Sequence, residues 1–519
     1  MNRAVLVAAG ILASRAAGFV RIRVFAHYFG LRSDAADAFN ASFRIPNFLQ
    51  TLFGEGALSA SFIPVYAALV ARGERREADR VAGAIGAIVS ALVAVTVLIG
   101  VLAAPAMVAI IAPGFEGQKR ELTVLLARIL FPGAGMFVLA AWCLGVLNSH
   151  HKFLLSYAVG AVWNAAMIAT LLLFGSGSQL PQLSVYLAWG SVVGSFLQIV
   201  VQMPVVLKVA PDLRFAFDIG SEHVRTVGRN FLPVLISRGV VQVSGYIDQL
   251  LASWLPTGAV TGISNAQALY TLPVSLFGMS VAASELPAMS GAAALDDAAA
   301  VALRTRLDAG LRRIAFFVVP SAIAFFALGD VVAGVVLQTG RFTSGDAVYV
   351  WRILAGSAIG LVASTLGRLY SATLFALRDT RTPLRFALVR VSLTSVLGYL
   401  CSIPLPRLLG IDASWGAVGL TASAGVAGWV EMFLLRRTLR ARIDSRGIPA
   451  SHLVKLWSAA LIAAALGWGA RAVMPSTGYP AVDGVFVLTA FGLAYIGATV
   501  AVGVPEATTL IQRGLRRLR

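Results

Sequence analysis

Fourteen apolar stretches of roughly 20 or more residues, separated by polar or Gly/Pro-rich joints, leave this 519-residue chain few folds to choose from. They run approximately over 4–27, 37–70, 82–111, 121–147, 153–175, 183–207, 229–254, 260–289, 312–337, 345–376, 383–403, 413–435, 452–474 and 481–503. A helix needs about 20 such residues to cross a hydrocarbon core about 30 Å thick, so each stretch predicts one crossing. Only 13% of the residues are charged and 58% are hydrophobic, whereas a soluble domain carries about 25% charged residues. The expected fold is therefore all-α: a polytopic membrane protein with about fourteen transmembrane helices. Met1 to Ala13 has the short basic and apolar pattern of a signal peptide, but further apolar spans follow at once, and it reads as the start of the first crossing.

The net charge of +18 would suit a nucleic-acid partner, yet the basic residues sit in short clusters between apolar runs rather than along one domain face. Their alternation carries topology instead. Counting the N-terminus as inside, the even-numbered joints hold Arg72, Arg75, Arg76 and Arg80, later Arg304, Arg306, Arg312 and Arg313, and later still Arg436, Arg437, Arg440 and Arg442; the odd-numbered joints carry far fewer. The positive-inside rule then puts both termini in the cytoplasm. Cys143 and Cys401 lie inside apolar segments, far apart, and predict neither a disulfide nor a metal site.

The chain repeats itself. Ser14-Arg15 opening the first span matches Ser237-Arg238 in the seventh. Leu52 to Gly54, followed by Pro64, matches Leu276 to Gly278, followed by Pro287. APGF ending at Phe115 matches TGRF ending at Phe342. Six spans per copy is an even number, so the copies share one orientation, the parallel repeat found in transporters whose site lies between halves. The expected organisation is an N-lobe over 1–220, a C-lobe over 221–445, and two further helices with a basic tail over 446–519.

Charges inside these spans point to a polar pathway, because an ionised group in hydrocarbon is expensive and faces protein or water. Arg15 lies near mid-bilayer, and the repeat sets Arg238 at similar depth. Ser14, Gly18 and Arg21 share one helical face; Ser237, Ser244 and Asp248 form another, with Gln242 and Gln249 beside it. Two such faces predict a cationic cavity for an anion such as a phosphate or diphosphate, which guanidinium binds bidentately. Buried structural arginine is the alternative for each. Arg23 and Arg44 serve the cavity or snorkel to an interface; Asp37 binds substrate or caps the second span; Asp248 neutralises Arg238 or carries a coupling cation or proton. Glu55 is a gate candidate or a structural ion pair, and Asp379, in LRDTRTP, a cap and turn or a gate.

No Walker A loop, nucleophile elbow, HExxH or CxxC occurs, and no soluble segment is large enough for an ATPase. The expectation is a transporter with no cofactor, driven by an ion gradient (Na+ or H+), the membrane potential or the substrate's own gradient.

At SRxxGFxR (Ser14 to Arg21), ADAF (Ala36 to Phe39), IPN (Ile45 to Asn47), LFGEGALSASFIPVYA (Leu52 to Ala67), GVLNS (Gly145 to Ser149) and DTRTP (Asp379 to Pro383), the chain resembles the MurJ (MviN) family of lipid II flippases. The resemblance implies two six-helix lobes in alternating access, moving lipid II, an undecaprenyl-diphosphate disaccharide-pentapeptide, outward across the bacterial inner membrane for peptidoglycan and cell-shape biogenesis. It also implies a polyprenyl-tail groove at the last two spans and contact with cell-wall synthesis and division proteins. Arg15, Arg21 and Asp37 match charged cavity residues of that family. Ile22, Gln50-Thr51 and Gln267-Ala268 stand where the family carries an acid and two arginines, and Arg238, Arg23 and Arg44 are the expected replacement charge.

Other readings compete. One is a flippase for a different polyprenyl-diphosphate sugar or a related exporter; another is a non-transporting scaffold paralogue. A basic cavity disfavours cationic drugs by like charge, and a scaffold has no use for arginine at mid-bilayer.

Overall fold

The computed structural model describes residues 3–49, 53, 58–218, 220–291, 297–473 and 477–518. Helices follow one another with short joints: α1 (Arg3–Phe29), α2 (Asp34–Leu49), α3 (Ser59–Ala71), α4 (Arg75–Ile111), α5 (Gly117–Ser149), α6 (Phe153–Ala158), α7 (Gly160–Phe174), α8 (Leu180–Val209), α9 (Glu222–Ser253) and α10 (Ala259–Pro273). After a π-helical turn at Val274–Met279 come α11 (Ser280–Gly291), α12 (Asp297–Ala327), α13 (Gly329–Leu337), α14 (Ser344–Ala376), α15 (Arg381–Ser402), α16 (Pro404–Leu408), α17 (Trp415–Ile443), α18 (Ala450–Val473), α19 (Pro480–Ala501) and α20 (Pro505–Leu518). There is no β-strand among the described residues.

Every expected span falls on a helix or on a helix interrupted within the span. Among the described residues, ten helical stretches are long and apolar enough to cross a membrane, from Arg75–Ile111 to Pro480–Ala501. The interruptions correct the sequence boundaries, and each has a physical reason. The second expected span carries α2, with Pro46 inside it, and α3, and residues 50–52 and 54–57 between them lie outside the described residues. The eighth breaks at Pro273 into the π-helical turn. The ninth divides between Ala327 and Gly329, where the freed carbonyls of Phe326 and Ala327 accept the indole N–H groups of Trp351 (3.0 Å) and Trp468 (2.9 Å).

The helices sort into two compact units: Met1–Thr261 with Thr339–Arg341, and Gly262–Gln338 with Phe342–Arg519. The boundary falls inside α10, and α9 packs within the first unit against α3 and α4.

In the first unit, α5 is the spine, with α2, α4 and α8 laid along it. Trp142 is buried there with Phe62, Tyr66 and Val81, and its indole N–H reaches the Ala82 carbonyl at 3.1 Å. A second cluster joins Phe25, Phe29, Phe39, Leu126, Leu130 and Met167. In the second unit α14 is the spine, opened by a reciprocal Thr343–Asp346 capping box. Gly360 of α14 and Gly425 of α17 meet backbone to backbone, an approach that a Cβ on either would block. α18 and α19 pack against α12 and α13, and the Tyr495 hydroxyl donates to the Phe316 carbonyl at 2.7 Å. Outward faces carry Leu98, Leu102, Leu173, Leu461 and Leu493, all exposed. Such apolar exposure is ordinary where the solvent is lipid.

Candidate functional site

In the second copy of the repeat the second helix is interrupted at the repeated Leu-Phe-Gly, whereas Leu52 and Gly54 of the first copy lie outside the described residues. Phe53 and Leu58, between α2 and α3, are π-helical, and Leu276 to Gly278 lie in the π-helical turn after α10. Such turns strand backbone acceptors. Two hydroxyls in the second copy fill them: Ser275 donates to the Leu272 carbonyl and Ser280 to that of Ser275, each at 3.1 Å. A π-helical interruption inside a membrane helix often marks a functional site.

On α1, Arg15 is exposed and 12 residues in from Arg3, about 18 Å along the axis. Ser14 lies against Gly160, whose missing Cβ lets α1 and α7 approach closely. Arg21, two turns on, is seated on α7. Its Nε donates to Asn164 Oδ1 at 2.9 Å, its guanidinium carbon lies 5.0 Å from the centre of the Trp163 ring, and Asn164 is itself held by the Gly160 carbonyl at 2.9 Å. Trp163 is fixed in turn by Ser191 (3.1 Å) and by stacking on Phe43. Nη1 and Nη2 of Arg21 make no hydrogen bond among the described residues, so the edge that binds an oxyanion bidentately is positioned but unused. Arg23 is half-buried on the same helix.

Arg44 of α2 joins α9. Its Nη1 donates to the buried Gln249 Oε1 at 3.1 Å, Asp248 lies within electrostatic reach, and the Tyr246 hydroxyl donates to the Arg44 carbonyl at 3.2 Å. The structure thus brings together Arg44 and Asp248, one candidate cation and one candidate anion. Glu55, Gln50 and Thr51 lie outside the described residues, as do the side chains of Ser237, Arg238, Gln242 and Ser244, although these four stand on α9.

Asp37 is 1% exposed and fully committed to protein donors. It accepts from the N–H groups of Gly258 (2.8 Å) and Thr261 (2.9 Å), from the Thr261 hydroxyl (2.7 Å), and from Lys119 Nζ (2.9 Å). The helix it caps is α10, not its own, which answers the unpaired N–H groups and positive end of α10's dipole. Lys119 stands at a joint between spans. Its pairing with Asp37, and with Asp34 at 3.2 Å, has no local signal because the partners are 82 and 85 positions away.

Asp379 resolves as the cap-and-turn alternative geometrically: its carboxylate accepts from the Arg381 and Thr382 N–H groups (3.1 and 3.0 Å), the Thr382 hydroxyl (2.6 Å) and Arg442 (2.6 Å). Led by the Thr382 bonds, these donors pull its pKa down to about 2.

The second unit also holds charges that sequence reading passed over. Arg390 of α15 pairs with Glu431 of α17 at 3.1 Å, the Tyr270 and Ser364 hydroxyls meet at 2.6 Å, and Arg368 of α14 lies within electrostatic reach of Tyr270, Arg390 and Glu431. Charges inside spans ten, eleven and twelve were the available signal. No group of His, Cys, Asp or Glu suited to a metal ion occurs among the described residues.

The family model described as lipid II flippase MurJ matches residues 25–486. The lipid II flippase MurJ of Burkholderia cenocepacia is 31% identical over 473 residues, covering 89% of each chain. The probable lipid II flippase MurJ of Rhizobium tropici is 28% identical over 550 residues, covering 100% of this chain and 97% of that one. Among solved structures, lipid II flippase MurJ in an inward closed conformation superposes with a TM-score of 0.79 at 21% identity over 96% of this chain and 98% of that one. An inward-facing multidrug resistance MATE transporter of the MOP superfamily gives 0.66 at 16% identity, over 82% of this chain and 94% of that one.

Proposed function

The chain belongs to the lipid II flippase MurJ family, whose members are transporters rather than enzymes, and from that premise we propose how it carries lipid II from the cytoplasmic to the outer leaflet. The headgroup is anionic at its diphosphate, and the reading rests on one observation above all: Arg21 is held at Nε and by its ring partner while its Nη edge stays open. A guanidinium so placed binds a phosphate oxygen pair without first losing side-chain entropy. Arg15, one helical face removed and exposed, adds a second positive charge. The π-helical turn at Val274–Met279 supplies a joint of the kind that alternating access requires.

The polyprenyl tail needs an apolar path beside this polar one. A cavity of about 370 Å³ lined by Leu276, Phe277, Phe316, Phe317, Phe491 and Tyr495 runs along α19 beside the π-helical turn, and its chemistry suits an isoprenoid chain. The basic joints set both termini in the cytoplasm by the positive-inside rule, in the inner membrane of a bacterium. The energy source is an ion gradient, the membrane potential or the substrate's own gradient.

The test is depletion of the protein in its host with labelled lipid II followed at the outer face. Loss of outer-face lipid II, restored by the wild-type gene but not by Arg21→Ala or Arg15→Ala, is the expected result. Unchanged outer-face lipid II in a cell with no other flippase overturns the reading.

A further inference from the structure

The second unit carries its own cationic station inside the membrane, built from α10, α14, α15 and α17. Arg390 and Glu431 neutralise each other at 3.1 Å. Arg368 has no such partner: it makes no hydrogen bond and no ion pair among the described residues. The cluster of Arg368, Arg390 and Glu431 therefore keeps one net positive charge. Depth makes that charge costly. Arg368 lies 8 residues before the end of α14 at Ala376, and Arg390 lies 9 residues after the start of α15 at Arg381, so both sit about 12–14 Å in from the same side.

Arg368 is exposed on α14, whereas its neighbours Gly367, Leu369 and Tyr370 are buried. Polar groups lie within its electrostatic reach. Tyr270 stands beside it from α10, locked by the 2.6 Å bond to Ser364, which lies one turn before Arg368 on its own helix. Gln267, exposed on α10, and the half-buried Thr271 are joined at 3.3 Å and extend the polar surface by a turn. An arginine is retained at this depth only where it faces protein or a polar path. Here it lies within electrostatic reach of the Tyr270 hydroxyl and of the Arg390–Glu431 pair, whose carboxylate is already bonded to Arg390.

We propose that Arg368, beside Tyr270 and the Arg390–Glu431 pair, is a second oxyanion-binding station for the transported substrate. Arg390–Glu431 is the positioning pair: Glu431 draws off Arg390, so that two arginines do not repel across the site, and leaves Arg368 to bind. The inference rests on the flippase reading above. The station's ligand is a group with two oxygens sharing negative charge, which in a polyprenyl-diphosphate substrate is either the diphosphate or a carboxylate of the attached peptide.

The full-length purified chain, reconstituted in lipid nanodiscs, is titrated with lipid II, with undecaprenyl diphosphate, and with the lipid-linked disaccharide lacking its peptide. Arg368→Gln is expected to weaken lipid II binding at least fivefold with thermal stability kept, and Arg368→Lys to weaken it less. Equal weakening for all three ligands assigns the station to the diphosphate; weakening for lipid II alone assigns it to the peptide carboxylates. Wild-type affinity for every ligand in the folded Arg368→Gln protein overturns the station while leaving the flippase reading intact. If the wild-type chain binds none of the three, the flippase reading falls and the station falls with it. Glu431→Gln provides the check on positioning: with Arg390 released, an affinity change opposite in sign or smaller than that of Arg368→Gln is expected, and an identical loss makes Arg368 merely structural.

Discussion

Ser253 Oγ receives the Gly114 N–H at 3.1 Å, tying the loop after α4 to the end of α9. The other copy of the repeat does the same in reverse. The Arg341 N–H donates to the His27 carbonyl at 2.9 Å and His27 Nδ1 lies 2.9 Å from Thr339 Oγ1, so the loop after α13 docks on the end of α1. Gly114 belongs to APGF and Gly340 to TGRF, the pair that the sequence repeat aligns. Each loop presses a glycine where a side chain cannot fit: a Cβ on Gly114 would enter the Ser253 carbonyl, and one on Gly340 would meet the His27 ring and carbonyl. Like docking at like positions makes this a built feature of both halves.

Alanine at these two glycines is therefore expected to be destabilising. Gly340 adds a backbone term, because its φ of +54° is unfavourable for a residue with a Cβ. Gly340→Ala should lose about 1–3 kcal/mol, and Gly114→Ala, whose penalty is the clash alone, somewhat less. Thermal unfolding of the detergent-solubilised chain reads both. Unchanged melting for the pair means the loops are not fixed as described.

Asp37 and Lys119 give a coupled prediction. Asp37→Ala removes the acceptor for four donors and strands Lys119, so it should be the more damaging change, of about 3–5 kcal/mol. Lys119→Met leaves Asp37 with the two backbone N–H groups and the Thr261 hydroxyl, and should cost less. The double variant should fall short of the sum by about 0.5–3 kcal/mol, since the second change removes a partner already lost. Strict additivity would show that the two do not act as one group.

The repeat and the apolar stretches were legible because both are written in local sequence: hydropathy over 20-residue windows and short motifs at fixed offsets. The breaks were half legible. Pro46, Pro273 and the Leu-Phe-Gly motifs stood in the chain, but the π-helical geometry depends on how Ser275 and Ser280 take up freed acceptors. What the sequence could not reveal is partnership across long separations. Asp37 looked like a cap for its own helix and caps one that begins more than 200 positions later. Arg21 stands in the sequence as a charge inside an apolar span, yet only the fold brings Asn164 and Trp163 to orient it. Arg368, Arg390 and Glu431 met the same criterion of charge inside an apolar span and went unremarked, because no repeat motif drew attention to them.

Acid should loosen the contact that Asp379, at the start of α15, makes with Arg442, near the end of α17. The Asp379 carboxyl is held at about 2, below the usual 3.8, by the Thr382 bonds and then by Arg442. A depressed pKa means that the folded state favours the ionised form. Its contribution is complete above about pH 4 and is lost as pH falls toward 2. Asp379→Asn should remove this part of the pH dependence and lower stability at neutral pH. Melting curves between pH 5 and 2.5 compare the two proteins, and parallel curves would show that Asp379 adds nothing.

Arg21 separates charge from shape. Arg21→Lys keeps a cation on α1 but gives up the planar fork, the stacking on Trp163 and the Nε bond to Asn164. If a generic positive charge were all that the substrate required, the lysine variant would bind lipid II as the wild type does. If the fork is the contact, binding should fall about tenfold, equivalent to about 1.4 kcal/mol. Asn164→Ala tests orientation with the arginine intact: it frees Nε and should weaken binding by a smaller factor. Arg21→Lys combined with Asn164→Ala should then bind no worse than Arg21→Lys alone, because Asn164 acts only through the guanidinium. A further loss in the double variant would show Asn164 touching the substrate itself, and binding isotherms of the three variants decide it.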